Sequence, residues 1–169
     1  MEVIDEPISP RDTDRDVRAL RDIPRIAGIL DEVCRVTRMG FAAVARVTDE
    51  RWVACQVADR IEFGLQPGDE LVLKTTICND IRASGKAVII DHVGDEPNWR
   101  THPIPMLYGF ESYASFPITL DDGQFFGTLC AIDPEPRSLR SPELVSILER
   151  FAREIAGIVV VSRAGVVSA

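Results

Sequence analysis

Lysine is almost missing from this chain: Lys74 and Lys86 are the only two, and arginine supplies the rest of the positive charge. We read that bias as genome composition. Even with the arginines, the formal net charge is -8. No concentrated basic face is available for phosphate contacts, which argues against a nucleic-acid partner. Histidine is equally scarce, with only His92 and His102. Cysteine is limited to Cys34, Cys55, Cys78 and Cys130, widely and irregularly spaced, with no Cys-x-x-Cys pair. A structural zinc site is therefore not indicated, and no metal ligand set is read from the sequence. No apolar run approaches the ~20 residues of a membrane span, so no membrane partner is expected. The first residues, MEVIDEPISPRDTDRD, are too acidic and polar for a signal peptide. With free thiols, these features lead to the expectation of a cytoplasmic protein. A Ser-His-Asp order, a phosphate-cradling glycine loop and a paired-carboxylate motif are all lacking, so no catalytic residue is assigned.

What remains is an ordinary apolar and charged balance over 169 residues, enough for one domain that buries about 70% of its unfolded surface. Residues 1–16 are polar with Pro7 and Pro10, and are expected to form a flexible arm before a domain at 17–163 and a tail at 164–169. Helical periodicity begins at Val17. It runs through Leu20, Ile23, Ala27, Leu30 and Cys34, with a fresh start near Asp22-Ile23-Pro24 and an end at Gly40. Phe41–Thr48 and Arg51–Ala58 are β-branched and aromatic runs forming a first hairpin, and Gln66-Pro67-Gly68-Asp69 is a turn. Thr75 or Thr76 is expected to cap a helix containing Cys78, closed by Gly85. Ala87–Asp91 reads as a buried strand. Ser141-Pro142-Glu143 opens a last helix with a cap, a proline at the first position and an acid favoured by the dipole. On that helix Leu144, Leu148, Phe151, Ile155 and Ile158 make one apolar stripe, and Val145, Ala152 and Val159 a second. The second stripe, left to solvent, predicts a homodimer through the terminal helices.

The segment that orders the rest is DHVGDEPNWRTHPIPMLYGFESYASFPITLDDGQFFGTLCAID, residues 91–133. Two strand-like runs, Tyr113–Leu120 and Gln124–Asp133, flank Asp121-Asp122-Gly123, a strong hairpin signal. The irregular stretch before them is too apolar for a solvated loop, and its large side chains must bury. Trp99, His102, Met106 and Tyr108 are candidates to line a ligand pocket, or else to plug it as core. Cys78 is a fifth candidate: a thiol at a helix start has its anion favoured by backbone N–H groups, while the alternative is a small buried residue packing with Ile77 and Ile81.

The closing run YASFPITLDDGQFFGTLCAID resembles the last hairpin of a GAF domain: a small-x-Pro-Ile strand, a turn, and a glycine-containing strand ending in a small residue and an acid. The likeness extends over roughly residues 23–161. It implies an α+β fold with a central antiparallel sheet of five or six strands, terminal helices on one face, and a pocket-forming loop with short helices on the other. It also implies a non-catalytic sensory or regulatory module of bacterial signal transduction, binding a small molecule that the sequence does not identify and acting through its terminal helices on a signalling partner protein. No cofactor is assigned. Bilin-binding relatives carry a Cys-His pair where this chain has PMLYGFES, so covalent bilin attachment of that kind is not implied. Methionine sulfoxide reductase relatives resemble the chain at Cys78, which leaves a thiol-based redox sensor or small redox enzyme as the second reading. Those relatives also use a cysteine in the loop before the hairpin, and none lies between Asp91 and Phe116.

Overall fold

A computed structural model describes residues 10–73 and 76–165. The elements run α1 (Pro10–Leu20), α2 (Pro24–Thr37), β1 (Phe41–Val47), β2 (Trp52–Asp59), β3 (Glu70–Leu71), α3 (Cys78–Ser84), β4 (Val88–Ile90), α4 (Pro103–Tyr108), β5 (Ser112–Thr119), β6 (Phe125–Asp133) and α5 (Pro142–Gly165). The strands form one six-stranded sheet in the order β3-β2-β1-β6-β5-β4, every neighbouring pair antiparallel. This is the expected α+β architecture.

Side chains alternate across a strand, so each strand of a sheet covered on both sides feeds two cores. In β1, Ala42 and Val44 enter the core under α1, α2 and α5, while Phe41, Ala43, Ala45 and Val47 enter the core on the opposite face with α3 and the 91–111 segment. That is why β1 reads as an unbroken apolar run apart from Arg46.

Arg46 is 1% exposed, the largest polar side chain fully inside. Its guanidinium lies over the Phe126 ring, donates to the carbonyls of Phe126 and Val47, and stands 3.3 Å from the Asp16 carboxylate. Asp16 in turn accepts two hydrogen bonds from Arg163, at 3.1 and 2.9 Å. This cluster fastens α1 to β1 and to the end of α5. Residues 10–16, read as part of a flexible arm, are therefore helical: their anchors lie far away in sequence, where a local polar pattern does not register them. Residues 1–9 and 166–169, the rest of the expected arm and tail, lie outside the described residues.

Three local expectations are corrected. Helix α2 ends at a left-handed Arg38 (φ 60°) rather than at Gly40. Gly40 is needed for space, since a Cβ there would collide with Ile61, and its N–H donates to Asp133 at 2.8 Å. Thr76 does not cap α3; its hydroxyl donates to the Leu73 carbonyl at 2.8 Å. Thr75 lies outside the described residues. The second stripe of α5 is not free: Ala152 and Val159 are buried and Val145 packs against the same core, alongside Leu148 and Ile155. The apolar residues that α5 leaves half-exposed are Leu144, Val145, Ile147, Phe151, Ile158 and Val160, followed by Val161 at 69% exposure.

Candidate functional site

On the sheet face away from the terminal helices, the α3 and α4 segments roof a cavity of about 50 Å³. Its walls are aromatic: Phe41, Phe63, Tyr108 and Phe110. Phe63 packs against Phe41 at 4.8 Å and against Tyr108 at 6.2 Å between ring centroids. Outside this wall lies a broader groove of about 520 Å³ that shares Phe63, Leu65, Leu71, Tyr108, Phe110 and Ile132 with the inner cavity, so these six side chains divide the two spaces.

Beneath the apolar lining the sheet carries a buried polar cluster. Cys78 projects its sulfur from the first turn of α3 into a ring of hydroxyls: Thr128 Oγ1 at 3.1 Å, Tyr113 Oη at 3.6 Å and Ser115 Oγ at 3.8 Å. Cys130 completes the ring. The β5–β6 register pairs it with Ser115, and Thr128, two residues away, shares its strand face. The Cys130 thiol donates to the Ala43 carbonyl at 3.7 Å. Trp52 is buried in the same lining, and its indole N–H has no full hydrogen bond. An unpartnered buried donor is costly, and it favours any acceptor that enters or develops here.

These contacts set the acidity. Cys78 is held below the ordinary thiol value, chiefly because Cys130 donates to it, with further donation from Thr128, Trp52 and Tyr113; burial opposes this. Cys130 is pushed well above the ordinary value by that same hydrogen bond, by burial and by the charge on its neighbour. Tyr113 is raised by burial first, then by the two sulfurs. The other cysteines behave as inert core: burial raises Cys34 and pushes Cys55 up to about 12. The thiolate of Cys78 is thus favoured by side chains of the sheet, not by the helix start that sequence reasoning invoked.

The sequence candidates separate. Cys78 and Tyr108 line the cavity. Trp99 and His102 do not; their rings pack against each other at 4.9 Å with a 47° tilt, and Trp99 lies half-buried at the margin of this core. His102 Nδ1 accepts from the Ile104 N–H at 3.2 Å and caps α4, so the pair buttresses the helix that carries Tyr108. Met106 is 80% exposed on the outer side of α4 and takes no part in the wall. A six-residue helix cannot turn both Met106 and Tyr108 inward. His92 bonds Asp95 at 2.8 Å. Sequence reasoning missed Trp52, Tyr113, Ser115, Thr128 and Cys130. The hairpin register was legible and would have put Cys130, Thr128 and Ser115 on one face; the docking of α3 above them was not.

Among the described residues no group of three or more His, Cys, Asp or Glu is placed to hold a metal ion, and no helix is long and apolar enough to cross a membrane.

Comparison with known proteins places this geometry. The sequence model of the GAF domain matches residues 24–159. No relative is found among curated proteins. Among solved structures, the GAF domain region of a putative membrane protein from Geobacter sulfurreducens PCA is 15% identical with a TM-score of 0.67, covering 88% of this chain and 97% of its own. The type II free methionine-R-sulfoxide reductase of Thermoplasma acidophilum is 12% identical with a TM-score of 0.63, covering 85% and 94%. A domain of a putative two-component sensor histidine kinase from Sinorhizobium meliloti 1021 is 13% identical with a TM-score of 0.61, covering 85% and 94%.

Proposed function

This chain belongs to the GAF domain family, and we propose that it works as a non-catalytic sensory or regulatory module of signal transduction. A small, partly apolar molecule enters the far-face chamber, and the sheet conveys its presence to α1, α2 and α5 and from there to a signalling partner protein. The observation that carries this reading is the chamber itself: an aromatic-walled, apolar space whose lining includes Trp52, with its buried unpartnered indole N–H, next to an open groove. Ligand sites have this mixture of apolar lining and few aimed polar groups. At about 50 Å³ the closed cavity holds only a water or two, so anything larger binds by displacing Phe63 or Tyr108 into the groove. In this reading Tyr108 and Cys78 touch the ligand, and Trp99 and His102 act by holding α4. Met106 has no role.

The test is native mass spectrometry and an absorbance spectrum of freshly purified protein, followed by thermal-shift screening of small molecules. A hit is expected to raise the Tm of the wild-type protein and to lose its effect on Ile132→Phe, which fills the chamber. Protein that carries nothing and shifts with no compound, or a hit indifferent to Ile132→Phe, overturns the reading.

A second reading, a thiol-based redox sensor, is favoured by the surroundings of Cys78. Methionine sulfoxide reduction is not proposed, because the cysteine those relatives use in the 91–111 loop is missing.

A further inference from the structure

Three features of the chamber floor lack an explanation in ligand binding alone. Two cysteines from elements far apart in sequence meet there: Cys78 Sγ lies 3.1 Å from Thr128 and 3.8 Å from Ser115, the strand-face neighbour and the cross-strand partner of Cys130. Among the described residues, the polar groups around them are uncharged: Trp52, Tyr113, Ser115 and Thr128. Both sulfurs also line the same small cavity.

We propose that Cys78 and Cys130 are a dithiol site which a small hydroperoxide oxidises to an intramolecular disulfide. A ring of neutral donors around one sulfur is a device for holding a thiolate, and the thiolate is the nucleophile in sulfur chemistry. The second thiol, in the lining of the same cavity, is the resolving partner. The cavity selects the oxidant. A space of about 50 Å³ takes a molecule little larger than water without rearrangement, which favours a small hydroperoxide over a glutathione-sized disulfide.

The chemistry balances. The electron pair of the Cys78 thiolate attacks one peroxide oxygen; an S–O bond forms, the O–O bond breaks, and hydroxide leaves. Hydroxide takes the proton of the Cys130 thiol and becomes water. The Cys130 sulfur then attacks the sulfenic sulfur of Cys78. An S–S bond forms, the S–O bond breaks, and the departing oxygen leaves as a second water with the proton that Cys78 lost on ionising. Two cysteine sulfurs lose two electrons in total, and the peroxide gains them. Trp52 supplies a donor to the thiolate and then to the sulfenate oxygen. Closing the bond draws the sulfurs to about 2 Å, which pulls α3 onto the sheet. Cys34 and Cys55, on the opposite side of the sheet in the helix-covered core, stay reduced.

The role of this switch as an input rests on the sensory reading above; the chemistry does not. The experiment treats the whole chain with hydrogen peroxide and follows intact mass, then maps cysteines by peptide mass spectrometry. The expected result is loss of two hydrogens, with a Cys78–Cys130 cross-link forming about tenfold faster than any modification of Cys34 or Cys55. Cys130→Ser is expected to stop at a sulfenic acid trapped by dimedone, Cys78→Ser to remove the fast reaction, and Trp52→Phe to slow it and raise the apparent pKa of its pH–rate profile. Failure to form the cross-link in a folded wild-type protein overturns the proposal. So does glutathione disulfide reacting at Cys78 as readily as peroxide. Hydrogen exchange at α5, read on the same samples, tests the sensory reading separately: a cross-link without any change at α5 keeps the dithiol chemistry and removes its signalling role.

Discussion

Gly127 sits on β6 opposite Arg46, where β1 also carries an irregularity between Val44 and Ala45. A Cβ there would collide with the Ala45 carbonyl, part of the backbone and unable to rotate away. The glycine of the closing hairpin is thus a matter of space. Gly127→Ala is expected to cost about 1–3 kcal/mol, measured by denaturant unfolding, as overpacking does; an unchanged midpoint would show that β1 moves aside freely. At this scale the sequence was informative about identity and poor about neighbours. The acid closing β6 was noticed, yet its work became visible only in the fold: Asp133 accepts from the Gly40 and Glu135 N–H groups and pairs with Arg137. Cys78 was singled out for the wrong physical reason, since the hydroxyl nearest its sulfur lies 50 positions away.

Among the elements, the strongly periodic ones were legible. The two hairpins appear within a residue or two of where apolar runs and the Asp-Gly turn placed them, and Pro24 and Ser141-Pro142 mark helix starts as expected, with Ser141 Oγ accepting from the Leu144 N–H at 3.2 Å. Helix α1 was not legible, because its register depends on Asp16 meeting Arg163, 147 positions later. That dependence is testable. Asp16→Asn removes the only carboxylate paired with Arg46 among the described residues and leaves a buried guanidinium facing Arg163. A loss of about 3–5 kcal/mol is expected, with α1 amides exchanging early. A loss under about 1 kcal/mol, the range of an exposed pair, would show that water reaches the cluster.

At the scale of the whole molecule, the half-exposed stripe of α5 replaces the one inferred from periodicity. Leu144, Ile147, Phe151, Ile158 and Val161 recur at steps of three, four or seven, and the last two line a shallow groove with Ala19 and Ile23. A second copy laid along this line buries apolar surface at roughly 25 cal/mol per Å². Sedimentation at micromolar concentration is expected to give a dimer, and Ile158→Glu with Val161→Glu a monomer of unchanged fold. A wild-type monomer would refute the pairing. A dimer that survives both substitutions would move the interface elsewhere.

The sheet order has a consequence in time. Strands β1 and β6 lie side by side at its centre, and the Gly40 N–H that opens β1 bonds Asp133 at the far end of β6, 93 positions along the chain. As the chain leaves the ribosome, the β1–β2 hairpin emerges early with one edge bare, and that edge waits for most of the remaining chain before its partner arrives. Contacts so distant must pay loop-closure entropy before they return any stabilisation, which puts folding in the slow range of milliseconds to seconds. Throughout that interval β1 presents an apolar, unpaired backbone to every other nascent chain nearby. The architecture that gives one sheet two cores therefore also leaves the edge of β1 open to wrong pairing until β6 closes it.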